Sequence, residues 1–368
     1  MRKDQFESPD YYMVEKLFSE EQIIVRDATR QWVKEYVSPI IEDYNLKGIF
    51  PKELIKGIAE IGGFGAILPA KYGGSELDLI SYGLMMQELE RGDSSIRVMC
   101  SIQTSLVMNN IYEHGNDFHK EEFLLKLSKG ELIGSFGLSE PGHGSDPASM
   151  QTRHTIDGDH YIINGSKMWI GNAPFCDIAL VWSKSANNNY ACFIVRRNDP
   201  GFSTSKIDKK WSFRASETGE LIFDNCKVHK KYLLFESDSI NAALRSLNIA
   251  RYAVACGSIG IAMECYDVAL KYSNERTQFG KKISSNQLIQ KKLVDMITEI
   301  TKAQLLNWKL GMMMNDGDAT FEQISMAKRN NVSVAYNVAR NARQILGGMG
   351  ITAEYPVMRH LINLETLI

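Results

Sequence analysis

Two runs in the middle of the chain decide the fold: FGLSEPGHGSD at Phe136–Asp146 and KMWIGN at Lys167–Asn172. Both lie in strand-like sequence and combine glycines, small hydroxyl side chains and one indole. Main-chain N–H and C=O groups, which every such segment carries, can bond the polar edge of a flat heteroaromatic ring. The indole of Trp169 can cover a face of that ring. The two runs therefore predict a site for a flat heteroaromatic cofactor.

The composition is that of an ordinary globular protein. The chain has 368 residues, of which 44% are hydrophobic and 23% charged, and its formal net charge is -2. This length predicts two or three domains with ample core, and the balanced charge gives no reason to expect binding to nucleic acid or to an anionic membrane. The cysteines lie far apart, which predicts reduced, buried thiols and no metal site: Cys100, Cys176, Cys192, Cys226, Cys256 and Cys265.

No segment of the sequence predicts a membrane span or a targeting signal. The longest apolar run, Tyr252–Met263, is shorter than the roughly 20 residues that a bilayer requires. The first residues lead into no apolar stretch and are too acidic for a transit sequence, so no signal peptide is expected. We expect a cytoplasmic protein of a bacterium, or a mitochondrial matrix protein if this is a mature eukaryotic chain.

The periodicity of the chain changes twice, which predicts helices, then strands, then helices. A capping box of Ser19 and Gln22 starts the first long helix, and helical patterns extend to about residue 129. From residue 134, short β-rich runs follow, with a hairpin turn at Asp157-Gly158 and a second turn at Asn164-Gly165. Helical periodicity returns at about residue 239. The predicted domains are 1–133, 134–238 and 239–368, the last with its C-terminus incomplete.

Nucleotide-binding motifs of the common kinds are missing from the sequence. No Gly-x-Gly-x-x-Gly follows a strand, and no P-loop is present, so neither NAD nor ATP is supported. The run Gly347–Gly350 follows a predicted helix, where it can simply end that helix.

Several segments together resemble the acyl-CoA dehydrogenase family in order and spacing. They are the two opening runs, Asn248–Tyr252, Arg276–Gly280, Asn286–Leu293 and Gln344–Gly348. The resemblance implies an α+β multidomain fold: an N-terminal α-helical domain, a middle β-barrel domain and a C-terminal four-helix bundle. It also implies FAD between the domains, held partly by a neighbouring subunit of a homotetramer. The residues implied to bind FAD are Phe136, Gly137, Leu138, Ser139, Ser145, Trp169, Ile170, Gly171, Arg276, Gln278, Phe279, Gln287, Gln344, Gly347 and Gly348.

Within this family, the resemblance is strongest to glutaryl-CoA dehydrogenase. It rests on Glu90–Arg97, Ser101–Met108, Arg214–Gly219 and Arg359–Glu365. It implies oxidation and decarboxylation of glutaryl-CoA to crotonyl-CoA and CO2, with electrons passed to an electron-transfer flavoprotein. The residues implied to bind the acyl-CoA substrate are Arg97, Ser101, Ser145, Leu244, Asn248 and Arg251, with Glu90 behind them.

Arg97 has two interpretations. By the resemblance, it binds the distal carboxylate of a glutaryl group together with Ser101. Its neighbours Ile96, Val98 and Met99 are apolar, and a buried arginine in such surroundings requires an anionic partner. The alternative partner is Glu90, seven residues earlier on the same helical face, in an ion pair that serves only the fold.

The chain departs from the family pattern at three places. Val98 and Gly171 stand where relatives commonly have serine and threonine, which bears on the carboxylate pocket and on the electron acceptor. No carboxylate occupies either family position of the catalytic base, since Ala250 occupies one and the other would follow Ile368. We expect a glutamate just beyond Ile368. The alternatives are a short-chain acyl-CoA oxidase, a non-decarboxylating dehydrogenase and an inactive FAD- and CoA-binding protein.

Overall fold

A computed structural model describes residues 4–7 and 9–368 of the chain. The first part is helical, and the predicted capping box of Ser19 and Gln22 starts its first long helix. Its helices are α1 (Glu20–Trp32), α2 (Ile41–Lys47), α3 (Leu54–Glu60), α4 (Leu79–Gly92), α5 (Ser94–Ser101), α6 (Asn109–His114), α7 (Asp117–His119) and α8 (Leu125–Ser128). A π-helical segment, Ile102–Met108, joins α5 to α6 without a break. Such wide turns in a helix often mark functional sites.

The middle part is one eight-stranded sheet. Its strands are β1 (Gly134–Gly137), β2 (Arg153–Asp157), β3 (His160–Gly171), β4 (Ile178–Lys184), β5 (Tyr190–Arg196), β6 (Phe202–Lys206), β7 (Thr218–His229) and β8 (Leu233–Ser237). The order is β6-β7-β3-β2-β4-β5-β8, with β1 parallel to β4. Among the described strands, the two end strands β6 and β8 do not pair with each other.

One predicted turn is confirmed and the other is wrong. The hairpin of β2 and β3 pairs Asp157 with His160 around Gly158. By contrast, β3 continues through Asn164 and Gly165, with an irregular register between Ile163 and Gly165. Gly165 has a φ of 140°, and a Cβ on it would lie 2.7 Å from Thr152 Cα. The glycine therefore marks a β-bulge with a close backbone approach, which has the same local sequence signal as a turn.

The last part is a bundle of four helices. They are α9 (Asn241–Glu275), α10 (Gln287–Asn315), α11 (Phe321–Ile345) and α12 (Val357–Leu367). A short hairpin, β9 (Thr277–Gln278) with β10 (Lys281–Lys282), joins α9 to α10. The three-part α–β–α architecture predicted from the sequence is thereby confirmed.

Helix α9 is the central helix of the molecule. By length and composition it could cross a membrane, but 78% of its most apolar window is buried inside the protein. It packs against α4 at glycines: a Cβ on Gly260 would lie 1.9 Å from the Gln87 carbonyl oxygen, and one on Gly257 would lie 2.0 Å from Glu90 Oε2. This burial identifies α9 as a core helix and explains its apolar composition.

Candidate functional site

The structure brings the two opening runs side by side. The main-chain N–H of Met168 donates to the Ser139 carbonyl oxygen at 2.9 Å. The side chains of Phe136 and Leu138 are buried, so that run can offer a ligand mainly its backbone. Ser139 is partly exposed, and Trp169 is 60% exposed with a φ of 65°. An exposed indole in the left-handed region is strained, and such strain is concentrated at binding sites.

A buried ion pair, with one residue from each run, joins the two runs. Lys167 Nζ donates to the Leu138 carbonyl oxygen at 3.1 Å and to Glu140 Oε1 at 2.9 Å. The Glu140 carboxylate also accepts from the main-chain N–H groups of Gln151 and Thr152, at 2.6 and 2.9 Å. Because Lys167 bonds both the backbone and the carboxylate of the other run, it holds the two runs in their relative position.

The pKa values of this pair reflect burial and mutual attraction. Burial lowers the pKa of Lys167 to about 8, although Glu140 acts in the opposite direction. Burial alone would raise the pKa of Glu140, but the charge of Lys167 and the donated hydrogen bonds outweigh it and lower that pKa to about 2. Both groups are therefore charged at neutral pH.

The second part of the site is the buried pair of Arg97 and Glu90. Arg97 is 3% exposed and Glu90 is fully buried. Arg97 Nε donates to Glu90 Oε2, and its Nη2 donates to Oε1 at 3.1 Å. The alternative partner considered for Arg97 is thus present. Glu90 occupies only one edge of the guanidinium, however, and Nη1 donates to no residue within the described part of the chain.

Three hydroxyl groups lie close to one another near Arg97. Ser101 lies one helical turn further on, and its hydroxyl lies 3.3 Å from that of Ser105. The phenol of Tyr82 lies beside these two serines, which are its nearest polar neighbours, but it makes no hydrogen bond of normal geometry with a described residue. Burial raises the pKa of Tyr82, so it stays protonated and can donate. A buried donor without an acceptor is costly, which makes this cluster suited to a ligand oxygen.

The Arg97 helix and the two runs meet at one place. Gln103 Oε1 accepts from the Gly134 main-chain N–H at 2.9 Å, which ties the helix to β1. The Gly171 carbonyl oxygen accepts from Ser135 Oγ at 3.0 Å. A Cβ on Gly171 would lie 2.3 Å from Ile102 Cδ1, in the π-helical segment. The Arg97 helix and the two runs are therefore neighbours, and we call the region where they meet the cleft.

Helix α9 contributes the remaining predicted substrate residues. Leu244, Asn248 and Arg251 are partly exposed along it. Arg251 Nη1 donates to Asn248 Oδ1 at 3.0 Å. Nearby, Ser246 Oγ donates to Asn110 Oδ1 at 2.6 Å, which joins α9 to the continuation of the Arg97 helix. Ser145, by contrast, lies on an exposed loop.

The other predicted cofactor residues form a separate group at one end of the helical bundle. All of them are exposed: Arg276, Gln278, Phe279, Gln287, Gln344, Gly347 and Gly348. Lys292 Nζ donates to Gln344 Oε1 at 2.8 Å, which joins α10 to α11 there. Phe279 is 99% exposed at the tip of the β9–β10 hairpin. No hydrogen bond or ion pair connects this group to the cleft within residues 4–7 and 9–368.

Comparisons with known proteins agree with this arrangement. Family models described as the N-terminal, middle and C-terminal domains of acyl-CoA dehydrogenase match residues 19–131, 135–226 and 240–367. A crystal structure of glutaryl-CoA dehydrogenase from Mycobacterium smegmatis is 41% identical, with a TM-score of 0.93 over 96% of this chain and 91% of the other. The chain belongs to the acyl-CoA dehydrogenase family.

Two further solved structures are similar to this chain. Their names give different acyl-CoA substrates, so the comparison does not select a substrate. A second Mycobacterium smegmatis glutaryl-CoA dehydrogenase, in complex with FADH2, is 38% identical, with a TM-score of 0.95 over 97% of this chain and 92% of the other. Butyryl-CoA dehydrogenase from Megasphaera elsdenii is 34% identical, with a TM-score of 0.91 over 95% and 94%. Acyl-CoA dehydrogenases use FAD.

The residues of this family member fit FAD as a cofactor. The backbone of Phe136–Ser139 and the Ser139 hydroxyl can bond the polar edge of the isoalloxazine ring, and Trp169 can cover its face. The exposed Arg276 can pair with a phosphate, and a Cβ on Gly347 or Gly348 would meet no atom within 4 Å, so the backbone there is accessible.

Sequence reasoning assigned no role to Lys167, Glu140, Ile102, Tyr82 or Ser105. A lysine is rarely fully buried, so nothing in the local sequence marks Lys167 as a structural residue. Its partner Glu140 is 27 positions away, and Ile102 meets Gly171 only through tertiary packing. The serine spacing of Ser101 and Ser105, one helical turn apart, was a usable signal.

The Glu140–Lys167 pair predicts acid sensitivity. Because the pKa of Glu140 is lowered from 4.5 to about 2 on folding, its stabilisation is present above pH 4.5 and is lost as the pH falls towards 2. The total is about 3 kcal/mol, more than half of it lost by pH 3. The free energy of unfolding, measured with urea between pH 6 and pH 3, should therefore fall less in a Glu140→Gln/Lys167→Met variant than in the wild type.

A matched control for this experiment is the exposed pair of Lys126 and Glu122, which are 3.3 Å apart. Glu122→Gln should leave the pH dependence unchanged, because exposed pairs contribute little. If the free energy of unfolding fell equally with pH in the wild type and in the double variant, the assigned role of Glu140 would be contradicted.

Proposed function

We propose that this protein oxidises and decarboxylates glutaryl-CoA to crotonyl-CoA and CO2 and passes the electrons to an electron-transfer flavoprotein. The observation that supports the proposal is Arg97, a buried cation at the cleft. Glu90 accepts from its Nε and Nη2, so its Nη1 is available to a ligand. A substrate carboxylate is the group that such donors recognise best. The Ser101 hydroxyl lies one turn away and can donate to the same carboxylate.

The other residues of the cleft take supporting roles. When bound, FAD supplies the capacity to accept two electrons from the substrate. Lys167 and Glu140 keep the two runs in register, and Glu90 orients the guanidinium of Arg97. Asn248 and Arg251, which are partly exposed on α9, would hold the CoA part of the thioester. A dry cleft strengthens the attraction between Arg97 and a carboxylate.

A carboxylate base is needed to remove the acidic α-proton of the thioester. We propose that it follows Ile368. The Leu367 carbonyl oxygen accepts a hydrogen bond from Lys328 Nζ, and burial, followed by the nearby charge of Arg251, lowers the pKa of Lys328. Residues after Ile368 would therefore start near Lys328.

A second candidate function is oxidation of a short acyl-CoA without a distal carboxylate. Two observations favour it: Glu90 already neutralises Arg97, and the partly exposed side chains beside Arg97 are the apolar Val98 and Ile102. The experiment compares kcat/KM for glutaryl-CoA and butyryl-CoA in the absence of oxygen, with an artificial electron acceptor, and identifies products by mass. The proposal expects crotonyl-CoA and CO2 from glutaryl-CoA.

Other outcomes of that experiment select other proposals. Glutaconyl-CoA as the product would show a non-decarboxylating dehydrogenase, and hydrogen peroxide formed in air would show an oxidase. A flavin-loaded natural chain, with whatever follows Ile368, that turns over neither ester would leave only binding of FAD and CoA. Rapid reoxidation of the reduced flavin by a purified electron-transfer flavoprotein would support that flavoprotein as the electron acceptor.

The exposed group at the end of the bundle predicts a shared cofactor site. We propose that Arg276 reaches the FAD of a neighbouring subunit in a homotetramer, since an exposed Phe279 beside it is suited to burial in an interface. Arg276→Ala should weaken FAD retention and subunit association together, measured by flavin absorbance and analytical ultracentrifugation. Lys281→Ala in the same hairpin is the control. Loss of flavin from an unchanged oligomer would contradict the proposal.

A further inference from the structure

Gly171 is crowded by one side chain, and its backbone conformation does not require a glycine. It is not among the residues with a positive φ, so any side chain could adopt its backbone angles. A Cβ at this position would lie 2.3 Å from Ile102 Cδ1, and its next neighbours would be Ile102 Cγ1 at 3.8 Å and Val98 Cγ1 at 3.9 Å. A single methyl group, at the flexible end of Ile102, therefore occupies the place of a side chain on residue 171.

Ile102 is placed to touch a ligand in the cleft. It begins the π-helical segment and is partly exposed, while its neighbours Ser101 and Gln103 are buried. Val98 lies one turn earlier and is also partly exposed, so the two form an apolar row. This row runs beside the polar row of Arg97 and Ser101 and faces the end of β3.

We propose that Ile102, through its contact with Gly171, limits the size of the acyl group that the cleft accepts. This inference rests on the proposed function, in that the cleft takes an acyl thioester. The Ile102 methyl group fills the volume where β3 meets the helix, which leaves room for short, unbranched acyl groups and excludes longer or branched ones. The absence of a side chain on Gly171 is what allows Ile102 to lie there.

The test exchanges volume between the two positions. Ile102→Ala should raise kcat/KM for hexanoyl-CoA relative to butyryl-CoA at least tenfold, since one or two methylenes in an apolar pocket change kcat/KM by about 10- to 200-fold. Gly171→Ala should lower hexanoyl-CoA turnover further, because the new methyl group pushes Ile102 into the acyl space. The kcat/KM of the double variant for hexanoyl-CoA should recover to within about threefold of that of Ile102→Ala.

Val98→Ala is the matched control. It removes a β-branched side chain from the same row, but Val98 is only in ordinary contact with the position of a Cβ on residue 171. It should therefore not relieve the effect of Gly171→Ala. Relief by Val98→Ala equal to that by Ile102→Ala, or equal changes for both esters in Ile102→Ala, would overturn the proposal.

Thermal unfolding gives a readout that does not depend on turnover. Gly171→Ala should lower the Tm by about 2 °C or more in the wild type and by much less in the Ile102→Ala background, because the obstructing methyl group is then gone. If Gly171→Ala lowered the Tm equally in the wild type and in Ile102→Ala, the assigned contact between the two residues would be wrong. If the natural wild-type chain, with whatever follows Ile368, turned over neither ester, the proposed function would be rejected instead. A fall in Tm on Gly171→Ala that depends on Ile102 would then still show the contact.

Discussion

Replacing Arg97 with Met is expected to lower kcat/KM for glutaryl-CoA by roughly a hundredfold to a few thousandfold. The reason is that breaking a buried ion pair costs about 3–5 kcal/mol, at about 1.4 kcal/mol for each factor of ten. Butyryl-CoA has no distal carboxylate, so its kcat/KM should hold steady or rise. The measurement is kcat/KM for both esters with wild type and variant, using the natural chain with whatever follows Ile368.

The single variant also leaves Glu90 buried without its partner. Glu90 Oε2 lies where a Cβ on Gly257 would be, so the carboxylate has little room to move. Arg97→Met/Glu90→Gln is therefore the matched variant, since it removes the lone charge and keeps the shape. If both single and double variants lost equal activity towards the two esters, Arg97 would serve the fold alone and the glutaryl assignment would fall.

The second large effect concerns the base. We expect a glutamate within about five positions after Ile368, and its replacement by Gln should lower kcat by about 10²- to 10⁴-fold. Gln keeps the shape of the side chain but cannot accept the α-proton. Binding of the CoA ester, followed by the change in the flavin spectrum, should persist in the variant and serves as the control.

Two results would contradict this assignment of the base. One is full activity in a natural chain that ends at Ile368, and the other is a Gln variant that retains its turnover. The second would direct attention to other carboxylates near the cleft. Glu90 is not suited to that role because both of its oxygens accept from Arg97.

Local features of the molecule were predictable from the sequence. The capping box at Ser19 and the hairpin at Asp157 depend on residues within a few positions of one another. The same local signal failed at Asn164-Gly165, where a bulge against Thr152 requires the glycine. A turn and a bulge both require unusual backbone angles, and only the partner strand decides between them.

The candidate site also has features that the sequence predicts and features that only the structure shows. Its composition, two strand runs with an indole and a helix with one arginine among apolar residues, can be read from the sequence alone. Both interpretations of Arg97 were also visible in the sequence, and the structure supplies the geometry that relates them: Glu90 bonds Nε and Nη2, and Nη1 is left over.

By itself, the sequence determined the order of helices and strands, the cofactor runs and the identity of the chemically useful side chains. The tertiary structure decided the Lys167–Glu140 pair, the contact of Ile102 with Gly171 and the close approach of Glu90 to Gly257. The physical reason is that periodicity, caps and turns are short-range properties of the chain. Contacts between distant segments depend on how whole elements pack, and each is defined by atoms only a few ångströms apart.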